Sequence, residues 1–447
     1  MTFSVRPLCV AALVIAAACD ETLPPEGFPE SVDGQLRRTL NLYGVVPIGP
    51  VPAQSPALVA LGQALMFDKI LSGNRDIACV TCHEPSQHAT DGLPLAVGTG
   101  GTGVGSARTL GPGRSFVPRN APTLLNSGLG LFYVFWDGRL TRFGPPPPDT
   151  PLPSDLVDLI AAQAMLPVLN RREMRGERGD VDVFGNPNEL AQFGDSQSTQ
   201  VWQAVMQRLL AIPGYVTLFN AAFPGKPAHA LTFGDAATAM AAFQSAALTK
   251  TGSPFDRYLQ RDDNALSPEA KRGAILFFND ARCSSCHNGP LLGGRDFANS
   301  GVPQLGPGVG KGAPLDHGRG ELVNNEFYQF AFRVPPLRNV ELTAPYFHDG
   351  AIATLEDAVR HYNDVTRSLR EFDPSTLPDA VRSSYHGDQV TIDSLLVSLD
   401  FRLRTPLHLS DAQIDELVAF LKALTDPAAR DLSGTVPTSV PSGLPVR

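Results

Sequence analysis

A pentapeptide with two cysteines and a histidine occurs twice in this chain of 447 residues, as CVTCH at Cys79–His83 and as CSSCH at Cys283–His287. Two cysteines separated by two residues and followed at once by histidine form the attachment pattern for a c-type haem. The thiols add to the haem vinyl groups, and the histidine is placed to ligate the iron. One copy could be chance or half of a zinc site, whereas two copies predict a chain with two c-type haems.

Similar helical segments precede the two pentapeptides. Ser55-Pro56 and Ser267-Pro268 each combine an N-cap serine with proline at the first helical position. The runs GQALMF and GAILFF that follow them align without gaps. This duplication predicts a mainly α fold with two cytochrome c-like domains, each with one covalently bound haem, and little β structure. We expect the first domain at 55–262 and the second at 263–425.

The two ends of the chain have compositions of their own. Segment 1–18 has one arginine and then an apolar run that ends in small residues, which is typical of a secretory signal peptide. The run up to Cys19 resembles a bacterial lipobox, so we expect a periplasmic lipoprotein, with plain secretion as the alternative. Lipidation would anchor the protein to a membrane surface without spanning it. We expect a tether and an irregular lead-in at 20–54, and a disordered proline- and serine-rich tail at 426–447.

Charge and cysteine usage limit the possible partners. The formal net charge of −9 argues against a nucleic-acid partner, which would favour basic patches. A mildly acidic surface suits a basic redox protein. After export and lipidation of Cys19, every cysteine with a free thiol belongs to a pentapeptide, so no thiol is left for a structural disulfide. No later run is apolar enough to span a bilayer.

Several motifs beyond the first pentapeptide occur in the order found in one family. They are RNAPT at Arg119–Thr123, FWDGR at Phe135–Arg139, the run Gln163–Met174, and VPPLRNV leading into LTAPYFHDG at Val334–Gly350. With them, Leu58–Leu424 resembles the bacterial di-haem cytochrome c peroxidase family, which includes MauG, the enzyme that matures methylamine dehydrogenase. The resemblance implies an oxidoreductase that reduces hydrogen peroxide at one haem with electrons passed through the other.

The resemblance assigns the reaction with peroxide to the first haem. It implies that Cys79 and Cys82 attach this haem and that His83 ligates its iron. Classical peroxidases of the family close this iron with a histidine sixteen residues after the proximal one, and that position here is Thr99. His88 is the nearby rival, although a histidine so placed is more often an ordinary surface residue. We therefore expect an open first iron, which is the MauG-like condition.

Gln163, Pro167 and Glu173 match the distal-pocket residues of the family. A carboxylate there can move a proton between the two oxygens of a peroxide, and an amide can orient the peroxide. Without the resemblance, Glu173 reads as a solvated charge among arginines. Trp136 matches a tryptophan that relays electrons between the haems, although a tryptophan is more often plain core. The stretch between Trp136 and Gln163 is longer than in shorter family members and contains the proline run 145–148.

The resemblance implies that Cys283, Cys286 and His287 hold the second haem, and its sixth ligand separates the subfamilies. Classical peroxidases use methionine, but none of the six methionines of this chain follows the second pentapeptide. Tyr362 occupies the family position and, with an apolar helix face around it, is the expected ligand to the second iron. His361 is the alternative, because a tyrosine on an apolar face is usually core.

The resemblance also implies one calcium ion between the domains, held by Asn120 and by the backbone carbonyls of Thr343 and Pro345. Oxygen donors suit this hard cation. We expect a MauG-like enzyme that draws electrons from a protein partner. A conventional peroxidase with a small redox protein as donor is the first alternative, and a non-enzymatic di-haem carrier or sensor is the second. Assembly into a homodimer stays open.

Overall fold

The structure is a computed structural model and describes residues 30–145, 152–154 and 156–446. The predicted signal peptide, Cys19 and most of the proline run 145–148 lie outside the described residues. The fold is mainly α, as predicted. Its α-helices are α1 Val32–Leu42, α2 Pro56–Phe67, α3 Cys79–Cys82, α4 Leu159–Ala164, α5 Ser198–Leu210, α6 Pro213–Ala222, α7 Phe233–Ala247, α8 Pro254–Leu259, α9 Pro268–Phe278, α10 Arg319–Val323, α11 Leu355–Asn363, α12 Val365–Arg370, α13 Asp379–Arg382, α14 Gln389–Val397 and α15 Asp411–Lys422.

In the described part of the chain, short strands form three antiparallel pairs, in which β1 pairs with β2, β3 with β5, and β4 with β6. Each strand has only two residues, so each pair joins two loops by a short stretch of backbone hydrogen bonds. The strands are β1 Tyr133–Val134, β2 Leu140–Thr141, β3 Phe297–Ala298, β4 Gln304–Leu305, β5 Phe332–Arg333 and β6 Tyr385–His386. No helix among the described residues is both long and apolar enough to cross a membrane.

The first hydrophobic core is organised around the contact between α2 and α7. Leu61 and Leu65 of α2 are fully buried there, and the alanine-rich α7 lets the two helices approach closely. A Cβ atom added at Gly62 would lie 2.0 Å from the carbonyl oxygen of Ala239. Such a distance is far below van der Waals contact, so this helix pair requires glycine at position 62.

The second core repeats this arrangement with α9 and α15. A Cβ atom added at Gly273 would lie 1.8 Å from the carbonyl oxygen of Glu416. Phe277 and Phe420 pack edge to face beside this crossing, with ring centroids 5.2 Å apart. The two glycines occupy equivalent places in the aligned runs before the pentapeptides. The duplication predicted from the sequence is therefore visible as two equivalent helix crossings.

Helices outside the predicted second domain contribute to the second core. The lead-in at 20–54, predicted to be irregular, contains α1, and its Leu36 and Leu40 are buried in this core. Helix α8 precedes the predicted boundary at residue 263, yet Phe255 and Tyr258 also pack there. The proline-rich sequence on both sides of α1 favoured a prediction of irregular structure, although Leu36 and Leu40 have the i, i+4 spacing of a helix. For residues 32–42 the prediction of irregular structure is wrong.

The C-terminal tail is also ordered over residues 426–446, contrary to the disorder predicted for 426–447. Ala429 and Leu432 are buried in the first core together with Val440 and Leu444. The hydroxyl of Ser442 donates a hydrogen bond to Oδ1 of Asp68 over 2.6 Å. The tail has few apolar residues, and the surface that buries them belongs to the distant first domain. Composition alone could not reveal that partner surface.

Replacing Leu432 by alanine tests the packing of the tail. Leu432 is 2% exposed, so Leu432→Ala should lower the free energy of unfolding by about 2–5 kcal/mol, as large-to-small core substitutions do. Chemical denaturation of the haem-loaded protein measures the change. Leu42→Ala is the matched control, because Leu42 is 79% exposed and its truncation should have little effect. Equal losses in the two variants would contradict a buried tail.

Candidate active site

The first pentapeptide forms one turn of helix at the wall of a cavity. Cys79 and Cys82 are the ends of α3, and the backbone N–H of His83 donates to the carbonyl of Cys79 over 3.1 Å. Nδ1 of His83 lies 3.3 Å from the carbonyl oxygen of Ala89 and donates to it. This bond orients the ring, as in metal-ligating histidines generally, and makes Nε2 the nitrogen suited to a metal. Burial lowers the pKa of His83 to about 4, so the imidazole is neutral.

The second pentapeptide lies at the wall of a second cavity in the same manner. The N–H of His287 donates to the carbonyl of Cys283 over 2.9 Å, and Nδ1 lies 3.1 Å from the carbonyl oxygen of Leu292. Burial lowers the pKa of His287 to about 4. It also raises the pKa of Cys286 to about 11, which keeps that thiol neutral.

The donor set in both cavities fits a covalently attached haem better than zinc. A structural zinc site takes four ligands, whereas each cavity offers two thiols and one imidazole, and burial raises the pKa of Cys79 and that of Cys283 to about 12. Within the described part of the chain, no group of three or more histidine, cysteine or acidic side chains could hold a metal ion. The second cavity is lined mainly by apolar side chains, among them Leu355, Leu417 and Leu421. These surroundings suit the apolar face of a porphyrin.

Gln163, Pro167 and Glu173 all line the first cavity together with Cys79, Cys82 and His83. Gln163 lies near the end of α4, and Pro167 begins a 3₁₀ turn. Glu173 lies in a π-helical turn at Arg171–Arg175, and Oδ1 of Asn170 caps this turn by accepting hydrogen bonds from the N–H groups of Arg172 and Glu173. The structure thus brings the three predicted distal residues to one cavity.

Glu173 has the electrostatic environment of a proton carrier. Burial raises the pKa of its carboxyl group to about 7, and the nearby guanidinium of Arg139 partly offsets this rise. Arg139 also lines the first cavity. A group with a pKa near ambient pH can both accept and donate a proton. The sequence had indicated no role for Arg139 beyond its motif.

Thr99 faces away from the first cavity. Its hydroxyl donates to Oδ1 of Asp76 over 2.8 Å, and its backbone N–H donates to the carbonyl of Glu173 over 2.8 Å. His88 is also directed elsewhere, because its Nδ1 lies 3.1 Å from the carbonyl oxygen of Ala429. His83 is therefore the only histidine that lines the first cavity among the described residues. Asp76 was not foreseen from the sequence.

Trp136 lines both cavities, and no other described residue does so. Its indole N–H donates to the carbonyl of Asn120 over 2.9 Å, and its own carbonyl accepts a hydrogen bond from the N–H of Arg333 over 2.7 Å. One contact comes from the first half of the chain and the other from the second half. The ring is thus held between the two cavities.

A buried charge cluster explains the arginine and aspartate of the motifs RNAPT and FWDGR. Arg119 donates from Nη1 to Asp137 over 2.7 Å and from Nε and Nη2 to Asp316 over 2.6 and 2.9 Å. Arg139 donates to Asp137 as well, from Nη2 over 2.6 Å. Because Asp316 belongs to the second half of the chain, the cluster joins the halves. The sequence could not reveal this pairing, since the partners are 197 residues apart.

Tyr362 lines the second cavity, whereas His361 does not. Both ring nitrogens of His361 have partners: Nε2 donates to the carbonyl of Ser300 over 2.7 Å, and Nδ1 accepts from the hydroxyl of Ser368 over 2.9 Å. Among the described residues, no methionine lines this cavity. The described methionines are all buried in the first core: Met66, Met165, Met174, Met206 and Met240.

Asn120 contacts the backbone at His348, three residues beyond Pro345 in the chain. Its backbone N–H donates to the carbonyl of His348 over 2.8 Å, and its side-chain amide nitrogen donates to the carbonyl of Leu93 over 2.7 Å. The amide oxygen is then the atom of this side chain suited to a cation. The donor types therefore fit a calcium ion.

Two cavities, each with a cysteine pair and a neutral histidine, define a c-type cytochrome with two haem sites, one of which carries a buried acid. A family model described as di-haem cytochrome c peroxidase matches residues 56–264. The chain is 35% identical to cytochrome c551 peroxidase of Pseudomonas aeruginosa, over 67% of this chain and 69% of that protein. It is 29% identical to methylamine utilization protein MauG of Methylorubrum extorquens, over 84% of this chain and 80% of that one.

A solved structure shares this fold. The crystal structure of a MauG-like protein associated with microbial copper homeostasis superposes with a TM-score of 0.57 at 25% identity, and covers 87% of this chain and 95% of its own. Together with the sequence relatives, it shows that the chain belongs to the di-haem cytochrome c peroxidase family. The protein is therefore an oxidoreductase of a family with two c-type haems, and both the peroxidase and the MauG-like hypotheses fit that family.

Gly98→Ala tests the contact between the Thr99 loop and the Glu173 turn. A Cβ atom at position 98 would lie 1.9 Å from the carbonyl oxygen of Arg172, so one of the two backbones must move. We expect the free energy of unfolding to fall by about 1–3 kcal/mol and the peroxide reaction to slow. Gly49→Ala is the control, because nothing lies within 4 Å of the added atom there. Unchanged stability and rate would contradict a rigid contact.

Proposed function

We propose that this protein reduces hydrogen peroxide in the first cavity with electrons that arrive through the second. The observation that carries the proposal is Glu173, a carboxyl group with a pKa raised to about 7 that lines the same cavity as His83. A protein that only transfers electrons has no use for such a group. When bound, the haem supplies the iron at which peroxide is reduced to water.

The residues around the first cavity supply proton transfer and orientation. The carboxylate of Glu173 takes up a proton from one oxygen of hydrogen peroxide and returns it to the other, which then leaves as water. The amide of Gln163 is suited to orient the peroxide by hydrogen bonds. Pro167 has no backbone N–H and presents an apolar surface, which limits competing hydrogen bonds. Cys79 and Cys82 would attach the haem, and Nε2 of His83 would ligate its iron.

Trp136 is proposed as the electron relay. It borders both cavities, and its hydrogen bonds to Asn120 and Arg333 keep its ring in place. An aromatic ring between two redox centres shortens each electron-transfer step. Cys283, Cys286 and His287 would hold the second haem, from which the electrons come.

Among the two enzyme hypotheses, the geometry favours a MauG-like enzyme that withdraws electrons from a protein partner. Tyr362 would ligate the second iron; its position in the wall of that cavity and the hydrogen bonds at both ring nitrogens of His361 support this assignment. A methionine ligand would raise the potential and suit a conventional electron-entry site. Thr99 and His88 both point away from the first cavity, so neither would close the iron of a haem bound there.

Calcium binding and export complete the proposal. The amide oxygen of Asn120 and the carbonyls of Thr343 and Pro345 would hold one calcium ion between the two halves of the chain. Segment 1–18 would direct export to the periplasm, and lipidation of Cys19 would anchor the protein to a membrane. Both additions rest on the sequence motifs and the family resemblance.

Glu173→Gln tests the proton-transfer role. The pKa of about 7 lies above that of a free glutamate, so the carboxylate that accepts the proton predominates only above pH 7. In the parent protein the rate of reaction with hydrogen peroxide should rise with pH through about 7. The variant should react about 10²–10⁴-fold more slowly and lose this pH step, because an amide cannot accept the proton. Stopped-flow absorbance of the ferric protein measures both effects.

Glu177→Gln is the matched control, since it removes an exposed carboxylate four residues away. It should retain both the rate and the pH step. A Glu173→Gln variant that reacts at the parent rate would refute the peroxidatic role of this residue and favour a carrier of electrons only.

Electron paramagnetic resonance tests the MauG-like hypothesis. The as-isolated ferric protein should give a high-spin signal from an open first iron and a low-spin signal from the second. Tyr362→Phe should change the low-spin signal alone, because phenylalanine cannot ligate iron. Tyr385→Phe is the control, since Tyr385 borders neither cavity. Two low-spin signals in the parent protein, or a Tyr362→Phe spectrum identical to the parent, would contradict the hypothesis.

A further inference from the structure

Arg333 carries a buried guanidinium at the wall of the second cavity. It lies in β5 and is 7% exposed, and it lines the second cavity. Its backbone N–H is bound to the carbonyl of Trp136, and its Nε donates weakly to the carbonyl of Phe135 over 3.3 Å. Its Nη1 is buried and has no hydrogen-bond partner in the described part of the chain.

No carboxylate among the described residues compensates this charge. Burial alone lowers the pKa of Arg333, to about 10, and no acidic group opposes that effect. The other cations of this cavity differ, because Arg402 forms ion pairs of 2.7 Å with Asp400 and 2.6 Å with Asp296, while Arg282 is exposed to solvent. A buried, unpaired charge is strongly unfavourable, since desolvation is not repaid by a partner. The site therefore requires an anion that the protein itself does not supply.

We propose that Arg333 binds a propionate carboxylate of the second haem. The cavity that Arg333 lines is the one with Cys283, Cys286 and His287, and a haem carries carboxylates as its only anionic substituents. A guanidinium presents paired N–H donors that match a carboxylate, and such charge-assisted bonds are short and strong. The carboxylate would accept hydrogen bonds from the part of the guanidinium that lines this cavity.

A cation at this place also affects the redox balance of the second haem. A positive charge near the iron favours the ferrous over the ferric state, so Arg333 raises the reduction potential. Hydrogen bonding and charge close to the haem are among the means by which a protein sets that potential. The backbone N–H of Arg333 donates a hydrogen bond to the carbonyl of Trp136. Arg333 would therefore link the second haem to the residue that lies between the cavities.

The test compares Arg333→Met, which removes the charge at similar length, with Arg333→Lys, which retains it. The midpoint potential of the second haem is followed by spectroscopic redox titration without peroxide, so the result is independent of the proposed reaction. We expect Arg333→Met to shift the ferric–ferrous equilibrium at least tenfold toward ferric, which corresponds to about 59 mV for one electron. Arg333→Lys should lie between this variant and the parent protein. Arg404→Met, a nearby change at an exposed arginine, should leave the potential unchanged.

Two results would overturn the proposal. One is a midpoint potential in Arg333→Met equal to that of Arg404→Met. The other is the same shift in Arg333→Met and Arg333→Lys, which would indicate lost packing rather than lost charge. If Arg333→Met fails to retain the second haem, its potential cannot be measured. Mass spectrometry then measures how many haems the Arg333→Lys variant retains. Retention of the haem by Arg333→Lys then supports the proposal, and its loss from both variants overturns it.

Discussion

The arrangement of the two cavities depends on the buried charge cluster around Arg119. This guanidinium binds Asp137 from the same half of the chain and Asp316 from the other half. Asp137 directly follows Trp136, so the cluster fixes the turn that places the indole between the cavities. Removing one partner from a buried ion pair leaves an uncompensated charge and typically costs about 3–5 kcal/mol. The cluster therefore joins the halves and positions the proposed electron relay at the same time.

The two copies of the pentapeptide share their local geometry but have different surroundings. Each histidine directs Nδ1 to a backbone carbonyl, and burial lowers its pKa to about 4. Glu173 lines the first cavity, and its raised pKa suits proton transfer. The second receives Tyr362 and the unpaired Arg333, which suit ligation and control of potential. The difference in proposed function thus comes from the walls of the cavities and not from the attachment motif.

The success of the sequence-based predictions depended on the range of the interactions involved. The helical turn of Cys79–Cys82 is closed by a hydrogen bond between residues four positions apart, so the local sequence pattern was sufficient to predict it. The predicted distal residues also share one cavity, because their motif places them within eleven residues of one another. In contrast, α1 and the C-terminal tail were predicted to lack regular or fixed structure. Their apolar residues, such as Leu36 and Leu432, are buried by surfaces from distant parts of the chain.

By itself the sequence determined the two pentapeptides that predict haem attachment, the helical repeat before them and the absence of methionine after the second pentapeptide. Each of these is a property of residue identity and short spacing. Only the tertiary structure decided that Trp136 borders both cavities, that Thr99 binds Asp76, and that Arg333 has no anionic partner among the described residues. Charge compensation and burial depend on which distant groups meet in space, and spacing along the chain carries no information about that.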